Sequence, residues 1–357
     1  MQKDSTIQGQ PAPGEGTPAP LRLWSWHTFL GIAVAVALLV GLAYWIEHEQ
    51  EGGWAATWAR IRDAALPIAL LGALCHYATY PVRGLRWRRT LAHLDPPAGG
   101  GRFGLFVFFY NAVDNVVPGK LGDLYAAHLL RINLGIRRSI GLGSIVFLRM
   151  IDAWVILGLA AAASFLLFSG HLPETVFWAL ILGGLIAVAA SLALLTFFLW
   201  KHKLPAWMPE QLAQRIRAFQ SGMWPGRREY LPIAVLTVLI WALELAFLGL
   251  LALSFGIHLD GIQLVFLASV PLLASAFPLT PSGAGVVELT LYGCLVALGV
   301  PAAVAVSIMV LNRLLDYWLH LVLGLLTWIF RRKIGLRSWR EVAAPPLGTP
   351  QALEPAR

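Results

Sequence analysis

Twice in this sequence a proline–glycine break is followed, at nearly the same distance, by the same charged motif. The first copy reads P-G-K-L-G-D from Pro118 to Asp123 and reaches R-M-I-D-A-W at Arg149. The second reads P-L-T-P-S-G-A-G-V-V-E from Pro278 to Glu288 and reaches R-L-L-D-Y-W at Arg313. Pro118 aligns with Pro281 and Gly122 with Gly285. Arg149, Asp152 and Trp154 align with Arg313, Asp316 and Trp318. From proline to arginine is 31 residues in the first copy and 32 in the second. A break and a motif duplicated at one spacing mark an internal repeat, so the chain is expected to fold as two related halves.

The runs around these motifs are apolar for longer than the ~18 residues that mark a membrane span. The chain is 58% hydrophobic and 13% charged, where a soluble domain carries about 25% charged residues. The expected fold class is an all-α polytopic membrane protein, since no segment shows the alternation of a β-barrel. A net charge of +8 would suggest nucleic acid in a soluble chain. Here basic loops that hold cytoplasmic helix ends explain it, and no nucleic-acid partner is expected. Cys75 and Cys294, the two cysteines, sit in apolar runs and offer no disulfide framework or Cys-based metal site. There is no Walker loop, no H-E-x-x-H and no nucleophile elbow. Neither a catalytic residue nor a metal or cofactor is expected.

Six full spans are predicted, at about 27–46, 64–82, 139–168, 175–200, 231–255 and 301–330. Two pairs of shorter helices, 103–117 with 121–132 and 262–277 with 283–298, surround the breaks. The first pair measures roughly 18–23 Å per helix, short of the ~30 Å hydrocarbon core. We read both pairs as re-entrant hairpins; two tilted crossings would give the same sidedness. The first span ends in Tyr44-Trp45 and acids rather than a small-residue cleavage site, which disfavours a signal peptide. Residues 205–228 read as a connector with an amphipathic helix around Gln211–Phe219. Residues 1–26 and 331–357 read as cytoplasmic tails, the first of them disordered, and 27–330 as the transmembrane domain. With the N-terminus inside, 22 of the 27 Lys and Arg fall in cytoplasmic segments, Arg83, Arg86, Arg88 and Arg89 among them. On that orientation the two hairpins enter from opposite faces. The unit 64–168 is then repeated, inverted, as 231–330, the architecture of alternating-access transporters with a site near the midplane.

Arg149 and Arg313 lie 10–12 residues into their spans. An unpaired Arg at that depth costs at least ~2.5–3.5 kcal/mol. Asp152 and Asp316, at i+3, can pair with them. Each pair is then either a self-neutralising staple or a site where the guanidinium meets a lipid phosphate. Pro118-Gly119 and Pro281-Ser282-Gly283 either make hairpin turns or expose half-helix N-termini to an anion, with Ser282 as N-cap. Lys120 stands in the first break, and Asn115 just before it beside Asp114. Glu288 is a helix-dipole partner, a salt bridge to Arg313 or a proton-coupling carboxylate. His320, four residues after Asp316 and hence on the Arg313 face, is a proton shuttle or a hydrogen-bonded core residue. The second copy keeps Ser282, Glu288 and His320 around its arginine, so Arg313 is expected to matter more than Arg149.

These motifs, N-x-x-P-x-x-x-G-[acid] from Asn115 to Asp123, R-x-x-D, and P-x-T-P-S-G-x-G-x-x-E, resemble the lysylphosphatidylglycerol synthase transmembrane region, or flippase-like domain, over about 64–330. The family often has Arg and Glu in the first break, where this chain has Lys120 and Asp123. It often has Glu before the Arg of the third span, where this chain has Leu148. Only 27 residues follow the last span, so no aminoacyl-transferase domain is expected here. The resemblance implies a stand-alone flippase-like protein of the plasma (inner) membrane, with both termini cytoplasmic. It would move an anionic or phosphate-bearing lipid, with Arg149, Asp152, Lys120, Asn115, Ser282, Gly283, Glu288, Arg313, Asp316 and His320 as substrate contacts. The alternative is an accessory scaffold, or a transferase subunit working beside a lipid-synthesis enzyme in hopanoid, glycolipid or aminoacyl-lipid biosynthesis.

Overall fold

A chain this apolar satisfies its backbone with helices, and helices are what form. The computed structural model describes residues 26–50, 52–116, 121–168, 174–199, 208–274 and 283–336. The two tails, Pro118, Gly119, Lys120, Pro281 and Ser282 lie outside these residues, and with them the expectations placed on those positions. Among the described residues there is no strand.

In order, the helices are α1 (Trp26–Glu49), α2 (Gly53–Asp63), α3 (Leu66–Thr90), α4 (Gly100–Val116), α5 (Leu121–Leu134), α6 (Arg138–Phe168) and α7 (Glu174–Leu199). Then follow α8 (Glu210–Met223), α9 (Tyr230–Ser254), α10 (Gly261–Ala274), α11 (Val286–Ala297), α12 (Ala302–Arg313) and α13 (Leu319–Ile329). Residues Leu314–Trp318 join α12 to α13 as a π-helical turn. Three continuous segments among the described residues are long and apolar enough to cross a membrane: Arg138–Phe168, Arg227–Ser254 and Ala302–Ile329. The pair Gly53–Asp63 and Leu66–Thr90, bent by 85°, makes a fourth if it is one span. The shorter apolar helices Gly261–Leu273 and Val286–Ala297 fall where the second hairpin is expected.

Helix ends follow local chemistry. Pro67 in the first turn of α3 occupies a position whose N–H has no helical partner. Gly285, at φ 86, turns the chain into α11 through a conformation that a side chain resists. Where helices touch, small residues let them in. A Cβ on Gly84 of α3 would overlap the backbone of Gly104 on α4, the close approach that membrane helices use in place of a hydrophobic drive.

Two apolar cores result. One gathers α4, α5 and the first half of α6 around Phe103, Phe106, Leu130 and Ile145. The other gathers α10, α11 and α12 around Phe266, Leu295, Val306 and Met309. Helix α3 runs through both, giving Ala69 to one and Tyr80 and Trp87 to the other. Helix α6 does the same, with Ile145 and Leu148 in one and Ala160 and Ala163 in the other. Between these anchor points lie His76 on α3 and Asp152 on α6, so the polar residues form a band where the cores meet.

Candidate functional site

Along α3, residues three and four apart share a face. His76, Tyr80, Arg83 and Trp87 follow that spacing, and Arg86 lies beside them. Helix α9, packed along α3, brings Glu244 and Thr237. Helix α6 brings Arg149 and Asp152. The π turn brings Asp316.

The expected pairings of Arg149 with Asp152 and of Arg313 with Asp316 are not those that form. Arg149 donates from Nε and Nη2 to the two carboxylate oxygens of Asp123, at 3.2 and 2.8 Å. Asp152 instead accepts two bonds from Arg86, at 2.6 and 2.8 Å, and Arg86 also donates to Thr237 Oγ1 at 3.1 Å. In the second copy Arg313 Nε lies 2.7 Å from Glu288 Oε1, and Asp316 Oδ1 lies 3.2 Å from His76 Nε2. Both are ion-pair contacts whose angles fall short of a hydrogen bond. An i+3 carboxylate shares a helix face with its arginine, but a forked guanidinium finds better geometry on a facing helix. The wiring is alike in both copies, except that Asp152 finds its base in its own unit and Asp316 in the other. The arginine reaches an acid in the first turn of α5 or α11, the aspartate reaches a base on α3, and Trp154 and Trp318 are exposed.

The half-helix N-termini are also occupied from within. Gly122 N–H donates to Asp114 Oδ1 at 3.2 Å, and Gly285 N–H to Glu288 Oε2 at 2.8 Å. Of the three roles open to Glu288, the contact with Arg313 and the cap of α11 are both present. Gly283, at φ 66, belongs to the turn before that cap. Asn115 holds the end of α4 to the π turn, its carbonyl accepting from Tyr317 OH at 3.0 Å. The guanidinium of Arg313 stacks on the Tyr317 ring at 4.1 Å, and its Nη2 is buried with no hydrogen-bond partner among the described residues.

His320 is held by α3 and α4. Its Nε2 lies 3.0 Å from the Phe108 carbonyl and its Nδ1 2.7 Å from Tyr80 OH. A carbonyl only accepts, so Nε2 carries a proton; with the ring neutral, Nδ1 accepts from the tyrosine. That is a core imidazole held at both ends, the second of the two roles open to His320. Tyr80→Phe removes the donor and leaves a buried lone pair. It is expected to lower stability by about 1–2 kcal/mol, measured by thermal unfolding in detergent, with little effect on any transport activity.

Between α3, α4 and α6 lies a recess of about 40 Å³. Arg83, Arg86 and Trp87 line one side, Tyr110 and Asn111 another, and Leu148, Arg149 and Asp152 the third. Arg83 donates to Glu244 Oε1 at 2.9 Å. Three guanidiniums thus converge on one cavity, each with a carboxylate partner. The volume takes roughly two or three waters. Leu148, where the resemblance expects Glu, forms an apolar part of the wall.

Sequence reasoning missed His76, Arg83, Arg86 and Glu244 as site residues. Arg83 and Arg86 were counted with Arg88 and Arg89 as loop charges, but α3 continues to Thr90 and buries Arg86. The face spacing from His76 to Trp87 carried the signal. So did Glu244, an acid in the middle of an otherwise apolar α9, since an ionisable residue in such a run marks a site by default.

The family described as the lysylphosphatidylglycerol synthase TM region matches residues 29–324. A UPF0104 membrane protein of Methanocaldococcus jannaschii is 26% identical over 224 residues, 62% of this chain and 95% of its own. A second, of Methanothermobacter thermautotrophicus, is 22% identical over 331 residues, 84% of this chain and 92% of its own. The glycosyltransferase AglD of Haloferax volcanii is 24% identical over 292 residues, 70% of this chain and 47% of AglD.

Proposed function

The chain belongs to the lysylphosphatidylglycerol synthase transmembrane-region family, and from that premise we propose that it moves an anionic or phosphate-bearing lipid between membrane leaflets. One observation carries this proposal. Along α3 and α6, Arg83, Arg86 and Arg149 converge on one recess, each held by a carboxylate that an incoming phosphate can replace. Burying charges between apolar cores is costly, and a lipid path is a use that repays it. Arg149 is the outermost of the three, with its side chain 41% exposed, and is the first contact. A phosphate that takes Arg149 from Asp123 exchanges one charge-assisted pair for another. Arg313, with Gly283, Ser282 and Glu288, is the corresponding contact of the second copy, and Lys120 and Asn115 flank the first. In this proposal the units 64–168 and 231–330 are inverted repeats with re-entrant hairpins, and the termini are cytoplasmic.

Purified protein in phosphatidylcholine vesicles is expected to speed leaflet exchange of fluorescent phosphatidylglycerol. Arg149→Lys keeps the charge and loses the fork. Losing one charge-assisted hydrogen bond, about 1.5 kcal/mol, slows exchange roughly tenfold. No acceleration over protein-free vesicles, for phosphatidylglycerol or isoprenoid phosphates, would count against transport. It would favour a second proposal, a membrane subunit serving an envelope-lipid transferase, which the glycosyltransferase name of AglD supports.

A further inference from the structure

His76 is buried at the level of α3 where one apolar core gives way to the other. Both of its ring nitrogens face carboxylate oxygens. Nδ1 lies 3.0 Å from Glu244 Oε2 on α9, and Nε2 lies 3.2 Å from Asp316 Oδ1 in the π turn. A carboxylate only accepts, so both contacts are favourable together only when both nitrogens carry protons. A neutral ring has a single N–H. Its other nitrogen then sets a lone pair against an oxygen. Charge gives the same answer. With an imidazolium, His76 and Arg83 balance Glu244 and Asp316; with a neutral ring the cluster, in which Asp316 is 41% exposed and Glu244 18%, keeps an unbalanced negative charge.

The other groups around the ring are already engaged. On α3, Arg83 is on Glu244, Tyr77 OH is on the Leu315 carbonyl at 2.9 Å, and Tyr80 OH is on His320. On α12, Arg313 is turned to Glu288. On α13, His320 is committed to Phe108 and Tyr80. From α9 the ring also meets Phe247, at 5.2 Å between centroids. Asp316 therefore depends on His76 for its closest cation. It also sits in a π turn, a bulge that recurs at functional sites in helices. That turn has two ties to α3. The Tyr77 bond to Leu315 is made at any ordinary pH, and the Asp316 contact needs the ring proton.

We propose that His76 is a proton-binding site whose Nε2 proton latches the π turn to α3, so that the proton is the ion coupled to lipid movement. The coupling rests on the transport proposal; the site itself does not. Full-length protein labelled with 15N-histidine tests it by magnetic resonance of the ring nitrogens. At pH 7 one ring, absent from the His76→Gln spectrum, is expected with both nitrogens protonated. The same ring in Asp316→Asn is expected to carry a single proton. As pH rises, the wild-type melting temperature falls as that ring loses its proton, and in His76→Gln this fall is missing. If His76→Gln does not fold, the resonance displaced in Asp316→Asn identifies the ring. A neutral His76 ring at pH 7 in the wild type, or the same melting profile in His76→Gln, overturns the site. In vesicles with an imposed pH gradient, exchange of fluorescent phosphatidylglycerol is expected to differ with the direction of the gradient. Exchange that ignores the gradient overturns the coupling. A doubly protonated ring in a protein that moves no lipid upholds the site and removes the transport proposal instead.

Discussion

Arg86→Ala is expected to destabilise the protein by about 3–5 kcal/mol, the cost of leaving a buried charge without its partner. Arg86 is 3% exposed, and two of its bonds hold Asp152. Truncation leaves that carboxylate in a band between apolar cores, with no second guanidinium at bonding distance among the described residues. Replacing both partners with apolar groups of similar volume, Arg86→Met with Asp152→Val, removes the orphan and is expected to recover most of the loss. Denaturant unfolding in detergent, with gel filtration to check that each variant is monodisperse, measures both. A stable Arg86→Ala protein would mean that Asp152 is hydrated.

The second large effect separates true partners from sequence neighbours. Arg313→Met combined with Glu288→Gln is expected to fold. The pair is neutralised together, and the glutamine oxygen still accepts the Gly285 N–H that caps α11. Arg313→Met combined with Asp316→Leu is expected to lose about 3–5 kcal/mol, because it orphans Glu288. It also deprives His76 of one carboxylate. A double-mutant cycle should accordingly give a larger coupling for Arg313 with Glu288 than for Arg313 with Asp316. Couplings in the opposite order would restore the i+3 staple.

The helices were legible because each rests on a local signal. The third span, expected at 139–168, forms as Arg138–Phe168, and the fifth, expected at 231–255, forms as Tyr230–Ser254. The connector helix around Gln211–Phe219 lies within α8 (Glu210–Met223). The partners of the charged residues were not legible, because spacing along one helix says which groups share a face but not what faces them. Asp123 is 26 residues from Arg149, and Glu244 is 168 from His76. Packing α5 against α6 closes the first gap, and packing α3 against α9 closes the second. The weight placed on Arg313 over Arg149 came from its local neighbours, Ser282, Glu288 and His320. The recess forms instead around Arg149, through residues of α3 that local spacing does not tie to it. The partners of His320, Tyr80 and the Phe108 carbonyl, likewise come from other helices, α3 and α4.

The measurement that bears most directly on the proposed lipid path uses phosphatidylglycerol carrying a photoreactive group beside its phosphate. After illumination in vesicles, mass spectrometry locates the adducts. Adducts are expected on Tyr110, Asn111 and Leu148, around the recess, and are expected to weaken in Arg149→Lys. Adducts confined to exposed side chains such as Trp178 and Leu325, with none in the recess, would contradict it.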